Sequence, residues 1–69
     1  MIQYFTDCIT SEKVVNIITT NGFQIHCRIT GFHKDPVENG SIVMVDVITE
    51  KQQINHIMLH AISTIAELE

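Results

Sequence analysis

The hydrophobic positions at the start of the chain recur at helical spacing, with polar positions falling between them. An apolar stripe at this spacing predicts one amphipathic helix, over residues 2–11, that packs one face onto a sheet. Thr10 and Ser11 are poor residues for a helix interior and mark its end. The stripe consists of Ile2, Phe5, Cys8 and Ile9.

From residue 14 the period changes to that of strands. Two β-rich runs, Val14–Thr20 and Phe23–Phe32, flank the dipeptide Asn21-Gly22. Asn-Gly between such runs predicts a hairpin with a two-residue type I′ turn, because both residues tolerate positive φ. Gly31, inside the second run, indicates a bend or bulge. The turn predicts three cross-strand pairs: Ile18 with Ile25, Asn16 with Cys27, and Val14 with Ile29.

The rest of the chain predicts three more strands. Residues 33–41 carry a proline, an Asn-Gly pair and mixed charges, and therefore predict a loop. We expect strands over Ile42–Thr49, Gln53–Leu59 and Ile62–Leu68, with a turn over residues 50–52. The chain is thus expected to be one domain, 1–69, of the mainly β class: an N-terminal α-helix and a five-stranded, strongly bent antiparallel sheet or open barrel.

Composition bears on assembly and partners. Hydrophobic residues make up 45% of only 69 positions, more than a small monomer covers easily, so we expect self-association. The net charge of −4 counts against electrostatically driven nucleic-acid binding, and no DNA partner is expected. The sequence shows no secretion signal or membrane-length apolar run, and its two cysteines are expected to be free thiols in a reducing cytoplasm.

The candidate chemistry is sparse. His56 and His60 would lie about 13 Å apart on a strand, too far to share one zinc ion, so we expect no metal site and no cofactor. Cys27 and His26 are adjacent on a strand and point to opposite faces, which argues against a thiol nucleophile. Ser63 has no acid partner, because Asp46 is remote in sequence and is expected to be solvated. No enzymatic activity is predicted.

Two segments resemble the bacterial Sm-like RNA chaperone family Hfq. Residues 15–24 (VNIITTNGFQ) resemble the first hairpin of that family, and residues 60–64 (HAIST) match its signature residue for residue. The helix before the first strand and Gly31-Phe32 also fit. The resemblance implies a ring, usually of six subunits, that binds single-stranded RNA: uridine-rich RNA at the pore on the helix-bearing face, and adenine-rich RNA on the opposite face.

The resemblance also implies roles for individual residues. On the pore face the RNA-binding residues would be His60, Lys34 and Asn55. On the opposite face they would be Gly22, Phe23, Gln24, His26 and Thr64. The subunit interface would contain Met58, Ile62, Ser63 and Ile65, which belong to the expected strand-pairing edge.

The chain departs from the family pattern where cations and aromatics are expected. Leu59 replaces the lysine before the signature histidine, residues 33–36 (HKDP) stand where a uracil-stacking aromatic occurs, and residues 10–12 (TSE) replace a basic rim. Ile18 stands at the aromatic position of the first strand. RNA binding is therefore expected on the hairpin face, through stacking on Phe23 and hydrogen bonds from Gln24 or His26. The alternative is a ring that has lost RNA binding and serves as a protein-interaction scaffold.

Overall fold

The computed structural model describes residues 2–37 and 40–68. It contains an N-terminal helix followed by a five-stranded antiparallel sheet, which confirms the predicted fold class. No helix in the described part of the chain is long and apolar enough to cross a membrane. The elements are α1 (Ile2–Ser11), β1 (Val14–Thr19), β2 (Gln24–Lys34), β3 (Ile42–Thr49), β4 (Ile54–Met58), a 3-10 turn (Leu59–Ala61) and β5 (Ile62–Glu67).

The strands are ordered β4-β3-β2-β1-β5, and every neighbouring pair is antiparallel. The sheet is not closed, so β4 and β5 form its two edges. This topology is consistent with an Sm-like fold. The predicted bounds of α1 and β3 are confirmed.

One face of the sheet packs against α1 and forms the core. The Phe5 ring lies 5.8 Å from that of Tyr4 and 6.2 Å from that of Phe32, between centroids. The apolar stripe of the helix therefore faces the sheet, and its Phe5 and Cys8 side chains are almost completely buried. The buried set is Phe5, Cys8, Val15, Ile17, Cys27, Ile29, Ile42, Val45 and Val47.

The predicted register of the first hairpin is wrong by one residue. The loop has three residues rather than two: the Thr19 amide donates to the Phe23 carbonyl at 2.9 Å, and the Gly22 amide donates to the Thr19 carbonyl at 3.0 Å. Gly22 has a φ of 91°, whereas Asn21 is not among the residues with positive φ, so a type I′ turn is excluded. The observed pairs replace all three predicted ones: Ile17 with Ile25, Asn16 with His26, Val15 with Cys27, and Val14 with Arg28.

The bulge predicted at Gly31 is confirmed, because the β2–β3 register shifts between Ile29 and Gly31. The extra residue changes the alternation, so Ile29 and Phe32, three positions apart, both contact the core. The strand then continues through His33 and Lys34, which were expected in a loop.

The last predicted strands also differ at their ends. β4 ends at Met58, and His60 lies in the 3-10 turn between β4 and β5 instead of on a strand. The turn lets the chain leave one edge of the sheet and return at the other, where the Thr20 amide donates to the Ala61 carbonyl at 2.9 Å.

Candidate functional site

The sheet face away from α1, called the outer face below, gathers most of the polar side chains of the strands. Strand alternation places them between the buried residues: Asn16 lies between Val15 and Ile17, and His26 is adjacent to Cys27. The cross-strand pairs extend this surface into rows. These rows include Thr64–Ile18–Gln24, Ala66–Asn16–His26 and Gly31–Asp46–His56.

The hairpin end of the sheet contains four of the residues that the resemblance assigns to RNA binding: Gly22 and Phe23 beside the turn, and Gln24 and His26 on the outer face. The Phe23 side chain is 68% exposed beside the turn. Gln24 accepts a hydrogen bond from the Asn16 amide nitrogen at 3.1 Å, and Asn16 Oδ1 is buried with no partner among the described residues. An exposed aromatic ring next to oriented amides can stack on a base and hydrogen-bond to its edge.

The carboxylate of Glu50 adds a negative charge to this surface beside His26. His26 Nδ1 lies 3.2 Å from Glu50 Oε1, and both side chains are largely exposed. Glu50 and Lys51 belong to the β3–β4 turn and line a shallow cleft together with Gln24 and His26. The Glu50 carboxylate repels phosphate, so this cleft suits base contacts better than backbone contacts.

The residues assigned to the pore are less closely grouped. His60 is exposed and lines a cleft with Ile42, and Lys34 is paired with Ile42 in the β2–β3 ladder. Asn55 lies opposite Val47, farther along β4. No hydrogen bond or ion pair joins His60, Lys34 and Asn55 within residues 2–37 and 40–68. Leu59, the residue before His60, carries no charge and packs against the core.

The residues assigned to the subunit interface lie on the two edge strands. Met58 ends β4 and is 43% exposed. On β5, Ile62 and Ile65 pack partly on the core, while Ser63 and Thr64 are exposed. Both edge strands therefore present backbone groups that a second copy could pair with.

The structure also brings together three residues that the sequence did not connect: His33 on β2, Asp46 on β3 and His56 on β4. His33 Nε2 lies 2.8 Å from Asp46 Oδ2, and His56 Nδ1 lies 2.5 Å from Asp46 Oδ1. Hydrogen bonding to His56 and, to a smaller extent, His33 lowers the pKa of Asp46, while partial burial opposes the shift. The Asp46 side chain is 22% exposed, so the expectation that it is solvated is wrong.

This cluster left a recognisable sign in the sequence. Asp46 is the only charged residue within the apolar strand Ile42–Thr49, and each flanking strand carries a histidine. Their proximity depends on the register, and the bulge at Gly31 sets that register for His33. Because residues 33–41 were predicted to form a loop, His33 was not expected on a strand beside Asp46.

The two thiols lie in the core. Cys8 and Cys27 are buried and unpaired, and burial raises the pKa of the Cys27 thiol to about 11. At neutral pH Cys27 is therefore a protonated thiol, which is a poor nucleophile. Its placement as a small core residue is confirmed.

Comparison with known proteins does not assign the chain to a family. A scan against protein-family models found no match, and a search of curated proteins found none.

Proposed function

We propose that the chain is a divergent Hfq-like subunit that assembles into a ring and binds single-stranded RNA without catalysis. The sequence support is the HAIST segment at residues 60–64, together with the hairpin at residues 15–24. The structural support is the helix followed by five antiparallel strands with two open edges.

The open edges supply the argument for assembly. Pairing of β4 in one copy with β5 in the next would satisfy their unpaired backbone groups and cover Met58, Ile62 and Ile65. Because the two edges differ, the contact is head-to-tail, and repetition of such a contact closes into a ring when the rotation permits. We expect six subunits, as in the family that the sequence resembles.

The observation that supports RNA binding most strongly is the exposed Phe23 ring at the hairpin tip, followed by Gln24 and His26 on the outer face. In a ring, every subunit would present the same group, giving a repeated series of stacking platforms. Stacking on an aromatic side chain is worth about 1–3 kcal/mol per base.

Charge indicates how such a surface would bind. The chain has only four Lys and Arg residues, and two of them already face carboxylates. Lys13 Nζ lies 2.8 Å from Glu67 Oε1, and Arg28 Nη1 lies 3.5 Å from Glu12 Oε1. Few cations remain to replace the counterions of RNA, so affinity should depend only weakly on salt.

Fluorescence anisotropy with labelled adenine-rich and uridine-rich oligoribonucleotides at low salt tests this proposal. The adenine-rich RNA should bind more tightly, and Phe23→Ala should weaken that binding about 5- to 150-fold, the equivalent of about 1–3 kcal/mol. Val37→Ala is the control, because Val37 is 85% exposed in a loop outside the outer face. Absence of binding to both RNAs, or equal binding by the Phe23→Ala variant, would refute the proposal.

A second candidate function is a ring that has lost RNA binding and acts as a protein-interaction scaffold. The net charge of −4 and the Glu50 carboxylate beside His26 favour it. The ratio of absorbance at 260 and 280 nm of the purified ring separates the candidates, because co-purifying RNA raises it. A ring that carries no RNA, binds neither oligonucleotide and retains a protein partner would establish the scaffold.

A further inference from the structure

We propose that His33, Asp46 and His56 form a binding site for a divalent transition-metal ion, with Zn²⁺ as the best-suited ion. The site lies on the outer face, and one atom from each residue can be chosen so that all three lie within 4.8 Å of one another. All three ligands come from one chain, so the site depends neither on ring assembly nor on RNA binding.

The chemistry of the donors selects the class of ion. Two imidazole nitrogens and one carboxylate oxygen suit zinc and related first-row ions, whereas Mg²⁺ and Ca²⁺ prefer sites made of oxygen alone. An aspartate is ionised at neutral pH, as ligation requires. The three protein ligands leave a coordination position for water, since His33 and His56 have side chains that are 50% and 57% exposed.

The fold brings the ligands together through three adjacent strands. Asp46 is paired directly with His56 across β3 and β4, and with Gly31 across β2 and β3. A Cβ atom at position 31 would lie 3.3 Å from Asp46 Oδ2, so the glycine leaves space for the carboxylate between the two rings. The bulge beside Gly31 lets His33 reach the same carboxylate from the other side.

Metal binding requires the two imidazoles to move. The two nitrogen–oxygen distances of 2.8 and 2.5 Å are hydrogen-bond lengths. They involve different oxygens of Asp46, so both imidazoles must shift to share a zinc ion bound through one oxygen. In a tetrahedral zinc site with bonds of about 2.1 Å, ligand atoms lie about 3.4 Å apart, so a pair separated by the full 4.8 Å would have to close by about 1.4 Å. Both imidazoles are half exposed and can rotate. Each ligating nitrogen gives up its hydrogen, which in a neutral ring moves to the other nitrogen.

Isothermal titration of the chelator-treated, dialysed full chain with Zn²⁺ tests the site. The expected result is one ion per chain, with affinity lowered at least about 100-fold in both Asp46→Asn and His56→Gln, since loss of a ligand exceeds the 10- to 100-fold effect of an outer partner. His26→Gln is the matched control, because His26 is another exposed histidine beside a carboxylate. It should retain the wild-type affinity.

A second measurement identifies the ligands and guards against misfolded variants. Co²⁺ should give a visible d–d spectrum without the near-ultraviolet thiolate band that ligation by Cys8 or Cys27 would produce. Circular dichroism in chelator establishes that each variant is folded, and His33→Gln replaces any variant that is not. The proposal is overturned if wild type takes up no Zn²⁺, if folded ligand variants bind as tightly as wild type, if His26→Gln abolishes binding, or if the thiolate band appears.

Discussion

Asp46→Asn tests whether one carboxylate stabilises the sheet by joining β2 and β4 across β3. In wild type both carboxylate oxygens are hydrogen-bonded, Oδ2 to His33 and Oδ1 to His56. Asparagine has nearly the same shape but only one acceptor oxygen and no charge. The substitution therefore removes the charge-assisted contacts with little change in side-chain volume.

The magnitude follows from the exposure of the three groups. Hydrogen bonds to charged groups contribute about 1.5–3 kcal/mol, whereas exposed ion pairs contribute about 0.2–1 kcal/mol. The Asp46 side chain is 22% exposed and its histidine partners are at least half exposed, which favours the lower range. With two contacts weakened, we expect a loss of about 1 kcal/mol, against a total of roughly 3–10 kcal/mol for a domain of this size.

The lowered pKa of Asp46 determines how this loss depends on pH. Because the folded state holds the carboxyl pKa below its usual 3.8, the unfolded chain binds the proton more readily. The stabilisation is therefore fully present above the unfolded pKa. It is lost as the pH falls through the folded value.

Urea titrations followed by circular dichroism measure the effect, in chelator and at equal chain concentration. The free energy of unfolding of wild type should exceed that of Asp46→Asn by about 1 kcal/mol at about pH 5. This difference should shrink as the pH is lowered further. His26→Gln, the control, removes the exposed contact with Glu50 and should change stability by less than about 0.5 kcal/mol. Equal stability at about pH 5, or a gap that does not respond to acid, would refute the reasoning.

Three further predictions concern the core and the hairpin. Phe5→Ala should lower the free energy of unfolding by about 3–5 kcal/mol in urea titration, because Phe5 is 1% exposed and a cavity would remain; a loss below about 1 kcal/mol would contradict the packing. Gly22→Ala should cost about 1–2 kcal/mol in the same assay, entirely through the backbone, since φ is 91° and an added Cβ meets nothing within 4 Å; no loss would contradict the left-handed backbone at position 22. The Cys27 thiol, with a pKa raised to about 11, should resist iodoacetamide at about pH 8 until urea is added, as mass spectrometry would show; rapid labelling of the native protein would place Cys27 outside the core.

Local patterns along the chain were sufficient to predict the elements. The apolar stripe through Phe5 and Cys8 predicted the helix, and the β-branched run from Ile42 to Thr49 predicted β3 with its observed bounds. Each signal depends on residues close in sequence. Gly31 likewise marked the bulge, because a glycine inside a strand pattern has no side chain to pack and often lies where the pairing is irregular.

Register was harder to predict, because it depends on turn geometry. Asn21-Gly22 is compatible with a two-residue turn, but the chain closes a three-residue loop in which only Gly22 has positive φ. That single residue changes every partner in the hairpin, so Ile17 rather than Ile18 lies opposite Ile25.

The lone aspartate of β3 is visible in the sequence, but its two histidine partners could not be predicted, for the same reason. His33 and Asp46 are joined through a register shift, and His56 reaches Asp46 only through the alignment of β3 with β4. Hydrophobic periodicity specifies which face a side chain occupies, but not which residue on the next strand it meets.

Native mass spectrometry of the chain mixed with a short adenine-rich oligoribonucleotide tests the central claim most directly, because one mass reports both assembly and binding. The proposal predicts a closed oligomer of six 7.8 kDa chains that carries the RNA. A single 7.8 kDa chain without RNA would contradict both parts of it.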